Sequence, residues 1–208
     1  MKILIIAPHP DDEIIGCGGT ILKKIEEGHD VHVIIMGYIG SKIREKESKK
    51  VQKKARIKSY TFLKINEPFQ YNKKNLGNLI KHIRKINPET IYIPHELERD
   101  HDHKVCNELL KEAIWMSSTP IFLKLGKPCK RTKEIFEYCI WTPLVKYNFI
   151  QNISKYLDKK LKLINEYKSQ IKKIRYDRAV KGLNEYYGIL NEIPGGYAEV
   201  FNIKWIKK

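Results

Sequence analysis

Cysteine is scarce in this sequence, and long hydrophobic runs are absent. Cys17, Cys106, Cys129 and Cys139 form no C-x-x-C pair and lack the close spacing of a secreted, disulfide-rich domain. No apolar run approaches the roughly 20 residues that a membrane span needs, and the apolar stretch at the start is too short for a secretory signal. We therefore expect reduced, mostly buried thiols in a cytoplasmic protein with no membrane span.

Acidic residues are few by comparison with basic ones. The chain has 24 Asp and Glu against 40 Lys and Arg, which gives a formal net charge of +16. An excess of this size raises nucleic acid or another anionic molecule as a partner. In residues 41–58 and 154–175, however, charged residues alternate with apolar ones at helical spacing, which is typical of solvated helix faces. The charge pattern therefore predicts no specific nucleic-acid partner.

Short strands alternate with helices through the first half of the chain. The pattern predicts strands at 2–8, 30–37, 59–65 and 90–95, and helices at 13–28, 42–57 and 74–86. Such alternation is typical of an α/β fold. We expect a Rossmann-like, doubly wound and mostly parallel sheet with helices on both faces, in a single domain over residues 1–208. In such sheets, ligands bind outside the carboxyl ends of the strands.

Two clusters of acidic residues and histidines follow predicted strands. "HPDDE" (9–13) follows the first strand, and "DHDH" (100–103) comes shortly after the fourth. Both clusters would face the same edge of a parallel sheet. Imidazole and carboxylate groups together suit Zn²⁺ or Fe²⁺, and a catalytic zinc commonly has three protein ligands and a water. His9, Asp12 and one later histidine would supply that set.

The adjacent carboxylates of Asp11 and Asp12 cannot point the same way on an extended backbone. One of them would bind the metal and the other would be aimed at a metal-bound water. Acidic residues before a helix are also favoured for capping and for the helix dipole. Capping needs only one of the four residues in the second cluster, so the two clusters together favour a metal site.

Several motifs resemble those of the LmbE/PIG-L-like family of metal-dependent N-deacetylases. They are "APHPDDE" after the first strand, "GCGGT" in the next helix, a later Asp-His pair, "REKE" (44–47), "KSQ" (168–170) and "YAEVF" (197–201). The resemblance covers most of the chain. It implies that the chain is a deacetylase domain acting on N-acetylglucosamine-type amino sugars.

The resemblance also implies roles for single residues. His9, Asp12 and His103 would bind the metal, expected to be Zn²⁺, with Fe²⁺ or another divalent ion as the alternative. Asp11 would be the general base, and we also place Asp102 among the catalytic residues. Arg44 is either a substrate contact or a helix-surface partner of a neighbouring acid such as Glu47. Position 100 carries Asp where many members have a histidine that stabilises the intermediate or protonates the leaving amine; His101 could supply an imidazole from the next position.

The expected function is therefore zinc-dependent removal of an N-acetyl group from an amino sugar, such as an N-acetylglucosamine conjugate. The products would be acetate and a free amine. The substrate would be a small molecule, and we leave homo-oligomer formation open. Two alternatives remain at this point: an amide hydrolase with a non-sugar substrate, and a basic protein that binds nucleic acid or an anionic glycan.

Overall fold

The sheet of this protein has seven strands in the part of the chain that the computed structural model describes, which is residues 1–37, 42–130 and 132–206. The strands are β1 (Lys2–Ala7), β2 (Asp30–Gly37), β3 (Ser59–Ile65), β4 (Thr90–Pro94), β5 (Glu134–Tyr138), β6 (Phe149–Asn152) and β7 (Ala198–Ile206). The helices are α1 (Asp12–Glu26), α2 (Lys42–Ala55), α3 (Lys73–Ile86), α4 (His101–Ser117), α5 (Leu157–Ile164), α6 (Lys168–Ile171) and α7 (Tyr176–Leu190). All four strands and all three helices predicted above are present, with their ends shifted by two residues or fewer.

The strand order is β3-β2-β1-β4-β5-β7-β6. Strands β1 to β5 pair in parallel, whereas β7 runs antiparallel to both of its neighbours, β5 and β6. The predicted doubly wound, mostly parallel sheet is confirmed. The order reverses between β1 and β4, and a crevice outside the carboxyl ends of the strands is expected at such a reversal. The two polar clusters follow these two adjacent strands.

Side chains of the central strand alternate between two hydrophobic cores. Ile3 and Ile5 of β1 belong to one core, together with buried residues of α1, α2 and α5. Leu4 and Ile6 belong to the other core, which contains the buried faces of α3 and α4. This alternation follows from the period of two in a strand that is covered on both faces. Helices therefore lie on both faces of the sheet, as predicted.

Two regions differ from the sequence pattern or were not assigned by it. The stretch 154–175 contains two short helices, α5 and α6, and not one continuous helix. Strands β5, β6 and β7 were not assigned from the sequence, although α4 precedes β5 and α7 precedes β7. The four cysteines are all buried and form no disulfide. Every helix in the described ranges is too short or too polar to cross a membrane.

The glycines of "GCGGT" let α1 approach its neighbours closely. A Cβ atom at Gly16 would overlap the ring of Tyr138 on β5, and one at Gly19 would lie 2.6 Å from Cβ of Ile153. Real Cβ contacts are essentially never this short. The small residues thus set the distance between α1 and the sheet, and with it the position of the first turn of α1.

Alanine substitutions at two helical glycines test this packing. Gly16→Ala should lower the free energy of unfolding by about 1–3 kcal/mol, the usual cost of forcing extra volume into a packed interior. Gly182→Ala in α7 is the matched control, because no atom lies within 4 Å of its added Cβ and alanine favours the helix by up to about 1 kcal/mol. Urea unfolding of both variants measures the difference. Equal stability of the two variants would contradict the packing role of Gly16.

Candidate metal centre at the carboxyl edge of the sheet

The loops after β1 and β4 bring His9, Asp12 and His103 together. Asp12 lies in the first turn of α1 and His103 in the first turn of α4, and both are buried. Oδ2 of Asp12 lies 3.4 Å from Nδ1 of His9 and 3.4 Å from Nε2 of His103. One ligand atom from each of the three residues lies within 4.8 Å of the others. The structure thus brings together the three residues predicted to bind metal.

The chemistry of this group fits a divalent metal ion. Two imidazole nitrogens and one carboxylate oxygen are ligands that zinc and iron accept, and three protein ligands are typical of a catalytic zinc site. Burial lowers the pKa of both histidines, but Asp102 and Asp12 raise the pKa of His9 to about 9. Asp12 and Glu98 likewise raise the pKa of His103 to about 10 against the effect of burial. The surrounding carboxylates therefore favour positive charge at this position, which a divalent cation supplies.

Asp11 lies outside this group and is held by an arginine. Nη2 of Arg44 donates to both carboxylate oxygens of Asp11, at 3.0 and 3.1 Å, and to the carbonyl oxygen of Pro10 at 2.7 Å. Burial raises the pKa of Asp11 well above its usual range, Arg44 opposes this rise, and the Asp12 carboxylate adds to it. The raised pKa makes the Asp11 carboxylate more basic than that of an exposed aspartate; its role as a general base stays a prediction.

Two roles were predicted for Arg44, a substrate contact or a helix-surface partner of a neighbouring acid such as Glu47. Arg44 is buried, so a surface pair with Glu47 is wrong. Glu47 instead accepts hydrogen bonds from the backbone N–H and the hydroxyl of Ser169, at 2.9 and 2.7 Å. The "REKE" and "KSQ" motifs therefore meet through this pair. Contact between Arg44 and a substrate stays a prediction.

Glu13, the last acid of "HPDDE", stabilises the turn. Its Oε2 accepts the backbone N–H of Asp11 at 3.1 Å, and its Oε1 accepts the hydroxyls of Tyr60 and Tyr167 at 3.0 and 2.6 Å. Burial raises the pKa of Glu13 to about 7 despite these hydrogen bonds. The three consecutive acids thus have three different sets of partners: Arg44, the histidines and the tyrosines.

Asp102 lies on the other side of the His9 ring from Asp12. Its Oδ1 accepts the backbone N–H of Phe69 at 2.7 Å, and its Oδ2 lies 3.4 Å from Nε2 of His9. Oε1 of Glu67 lies 3.6 Å from the same nitrogen. Sequence reasoning missed Glu67, although its position after β3 at the carboxyl edge was a usable signal. Asp102 is therefore next to a predicted metal ligand; its predicted catalytic role stays a prediction.

Asp100 and His101 contact the backbone and are not members of the three-residue group. The Asp100 carboxylate caps α4 by accepting the backbone N–H groups of Asp102 and His103. His101 is exposed, and its Nε2 lies 3.2 Å from the carbonyl oxygen of Phe69. The imidazole at position 101 thus contacts the loop after β3; its role in place of a histidine at position 100 stays a prediction.

Glu98 was also missed by sequence reasoning. Its carboxylate is fully buried and accepts backbone N–H groups from Ile140, Trp141 and Thr142 at 2.6 to 3.3 Å. Oε2 of Glu98 lies 3.6 Å from Nδ1 of His103. Burial would raise the pKa of Glu98, but the neighbouring histidines and the N–H of Ile140 lower it to about 2. The donors come from a segment more than 40 residues later, so no local pattern marks Glu98.

Comparison with known proteins gives the family of this chain. The model of the family described as PIG-L, GlcNAc-PI de-N-acetylase, matches residues 4–114, which is more than half of the chain. The chain belongs to the PIG-L family. The matched residues include both polar clusters and the strands that precede them. The chain is thus a member of a family of deacetylases, and the resemblance stated from the motifs is confirmed.

One relative that aligns with most of this chain is a deacetylase by name. A diacetylchitobiose deacetylase of Thermococcus kodakarensis is 27% identical over 194 residues, covering 81% of this chain and 70% of that protein. A second match, to a glucosamine-6-phosphate deaminase-like protein of Bacteroides thetaiotaomicron, is 47% identical over only 32 residues. The matched segment is 15% of this chain and 5% of the length of that protein.

Solved structures of PIG-L relatives and of similar folds superpose over nearly the whole chain. The N,N'-diacetylchitobiose deacetylase of Pyrococcus horikoshii is 29% identical with a TM-score of 0.85, covering 97% of this chain and 83% of that one. The conserved protein TT1542 of Thermus thermophilus is 24% identical with a TM-score of 0.89, covering 99% and 95%. The second likeness shows the α/β fold alone.

Asp12 belongs to the candidate ligand group and Asp11 does not, so substitutions at the two positions should affect metal binding differently. Wild-type protein loaded with Zn²⁺ and desalted should hold about one ion per chain. Asp12→Asn should weaken binding by about 100-fold or more, since even partners outside the ligand set typically account for 10–100-fold. Asp11→Asn should retain the ion. Elemental analysis and competition with a chromophoric chelator measure both variants, and equal loss of metal in the two would contradict the assignment.

Proposed function

We propose that this protein is a zinc-dependent N-deacetylase that hydrolyses the N-acetyl group of an amino sugar, such as an N-acetylglucosamine conjugate. One observation carries the proposal: a buried carboxylate, Asp11, lies directly beside a donor group of His9, Asp12 and His103 that suits a catalytic metal. Membership of the PIG-L family supports the reaction type. The products are acetate and a free amine.

His9, Asp12 and His103 would hold the metal. A divalent ion bound there would supply Lewis-acid polarisation of the acetyl carbonyl and a lowered pKa for a nearby water. Asp11 would accept the proton of the attacking water, and Arg44 orients its carboxylate through hydrogen bonds to both oxygens. The proton taken up by Asp11 is then available to the departing amine, which completes the exchange of water for the amide bond.

The names of two relatives favour an amino-sugar substrate. The two diacetylchitobiose deacetylases act, by their names, on an N-acetylated amino sugar. This point supports an amino-sugar substrate over other amides.

Acetate release tests the reaction and the base together. Zinc-loaded protein should release acetate from at least one N-acetylglucosamine conjugate, among free, chitobiose, nucleotide-linked and lipid-linked forms. Asp11→Asn should lower kcat by about 10²-fold or more while the metal stays bound, because it removes a general base. Asp30→Asn, at the amino end of β2, is the matched control and should keep wild-type activity.

The same assay distinguishes three kinds of failure. Turnover of N-acetylated amino acids with no turnover of any sugar would contradict the substrate class but keep the hydrolase. An Asp11→Asn variant with wild-type kcat would contradict the role of Asp11. Absence of acetate release from every amide, in protein that holds its zinc, would overturn the proposed activity itself.

A further inference from the structure

Glu98 faces the ring nitrogen of His103 that points away from Asp12. Nε2 of His103 lies 3.4 Å from Oδ2 of Asp12, and Nδ1 lies 3.6 Å from Oε2 of Glu98. The Nδ1 atom is buried and makes no hydrogen bond in the structure. The Glu98 carboxylate is therefore the charged group that acts on this nitrogen.

Backbone hydrogen bonds hold both oxygens of the Glu98 carboxylate. Oε1 accepts the N–H groups of Ile140 and Trp141 and lies 3.2 Å from Nε2 of His95, and Oε2 accepts the N–H groups of Thr142 and Trp141 at 3.2 and 3.3 Å. Both ring nitrogens of His95 have backbone partners, the carbonyl oxygen of Thr142 at 2.8 Å and the N–H of Leu97 at 3.2 Å. The two carboxylate oxygens thus face two different histidines, and the backbone hydrogen bonds fix the carboxylate between them.

A carboxylate in this position selects one form of the imidazole. A neutral histidine carries its proton on either Nδ1 or Nε2, and only the nitrogen without the proton can bind a metal. A lone pair on Nδ1 would be repelled by the buried negative charge of Glu98, whereas an Nδ1–H would be attracted. The attraction is large in a site from which water is excluded. Glu98 therefore favours a lone pair on Nε2, the nitrogen that faces Asp12.

His9 has a matching arrangement. Its Nδ1 faces Asp12, and its Nε2 lies 3.4 Å from Oδ2 of Asp102. The backbone N–H of Phe69 donates to the other oxygen of Asp102, Oδ1, and so holds the carboxylate in place. Each histidine of the candidate centre thus has Asp12 at one ring nitrogen and a second carboxylate at the other. Carboxylates behind metal-binding histidines fix the ring orientation and raise ligand basicity.

We infer that Glu98 is a positioning residue of the metal centre. Glu98 holds the imidazole of His103 so that the lone pair on Nε2 is directed at the metal. The inference rests on the proposed function, since it assumes that His103 is a ligand. Glu98 itself would touch neither the metal nor the substrate.

Glu98→Gln tests the inference because the two side chains have nearly the same shape. The glutamine can keep its oxygen toward the N–H of Ile140. Its amide N–H₂ then faces Nδ1 of His103 and gives up the hydrogen bonds that Oε2 accepts from Thr142 and Trp141. Donation to Nδ1 would leave the proton on Nε2, where it blocks coordination. We expect the Kd for Zn²⁺ to rise by about 10–100-fold, the usual effect of such partners. Chelator competition measures the Kd, and the visible absorption of bound Co²⁺ reports any change in coordination.

Two further variants separate positioning from a loss of structure. Glu47→Gln replaces another buried glutamate, whose partner is Ser169, and should leave the Kd and the Co²⁺ spectrum unchanged. Glu98→Asp keeps the negative charge and should bind Zn²⁺ more tightly than Glu98→Gln. Thermal unfolding of the metal-free variants shows whether each is folded. If Glu98→Gln is not folded, the test is the Kd for Zn²⁺ of Glu98→Asp compared with that of Glu47→Gln. A Kd for Glu98→Asp no higher than that of Glu47→Gln would then overturn the role of Glu98.

The outcomes distinguish this inference from the proposed function. Wild-type protein that binds no Zn²⁺ would contradict the proposed metal centre itself. A folded Glu98→Gln variant with the wild-type Kd and Co²⁺ spectrum, beside a wild type that binds one ion, would overturn the role of Glu98 alone. An equal rise in Kd for Glu98→Gln and Glu47→Gln would also overturn it, because the effect would then follow from general destabilisation.

Discussion

The left-handed backbone at Asp11 is the constraint on which the site depends. Its φ of 107° is rare for a residue with a side chain and costs of order 1–3 kcal/mol. This turn sends the Asp11 carboxylate to Arg44 and the Asp12 carboxylate to the two histidines, so that neighbours in sequence have different partners. Glu13 offsets part of the strain by accepting the Asp11 N–H. Without the turn, the two adjacent carboxylates would not reach these separate partners.

Buried carboxylates connect this turn to the rest of the molecule. Burying a charged group is costly unless hydrogen bonds compensate for it, so each buried carboxylate fixes the groups that donate to it. Glu199 of β7 accepts the N–H groups of Gly19 and Thr20 at 2.8 Å and pairs with the buried Lys160 at 2.8 Å. Glu47 similarly binds Ser169. The scattered sequence motifs of the family are, in this chain, mostly such long-range attachments.

The sequence predicted the parts of the structure that have local signals. Alternating strands and helices indicated β1 to β4 and the helices between them, and the residues after β1 and β4 indicated the candidate centre. Strands β5 to β7 depend on pairing between distant segments, which periodicity does not reveal. Glu98 escaped notice for the same reason, since its donors lie at 140–142. For Arg44 the sequence left a substrate contact and a helix-surface ion pair as alternatives, because its burial against Asp11 depends on how α2 packs on the turn after β1.

The position of β7 between β5 and β6 has a consequence for synthesis on the ribosome. Each of the strands β2 to β5 can pair, as it emerges, with a strand that has already been made. β2 and β3 add on one side of β1, and β4 and β5 add on the other side. In the described part of the chain, β6 pairs with β7 alone. Residues 149–152 therefore have no strand partner until residues 198–206 have left the exit tunnel. The same segment carries Glu199, so α1, which bears Asp12, receives its attachment to β7 only after residues 198–206 have emerged.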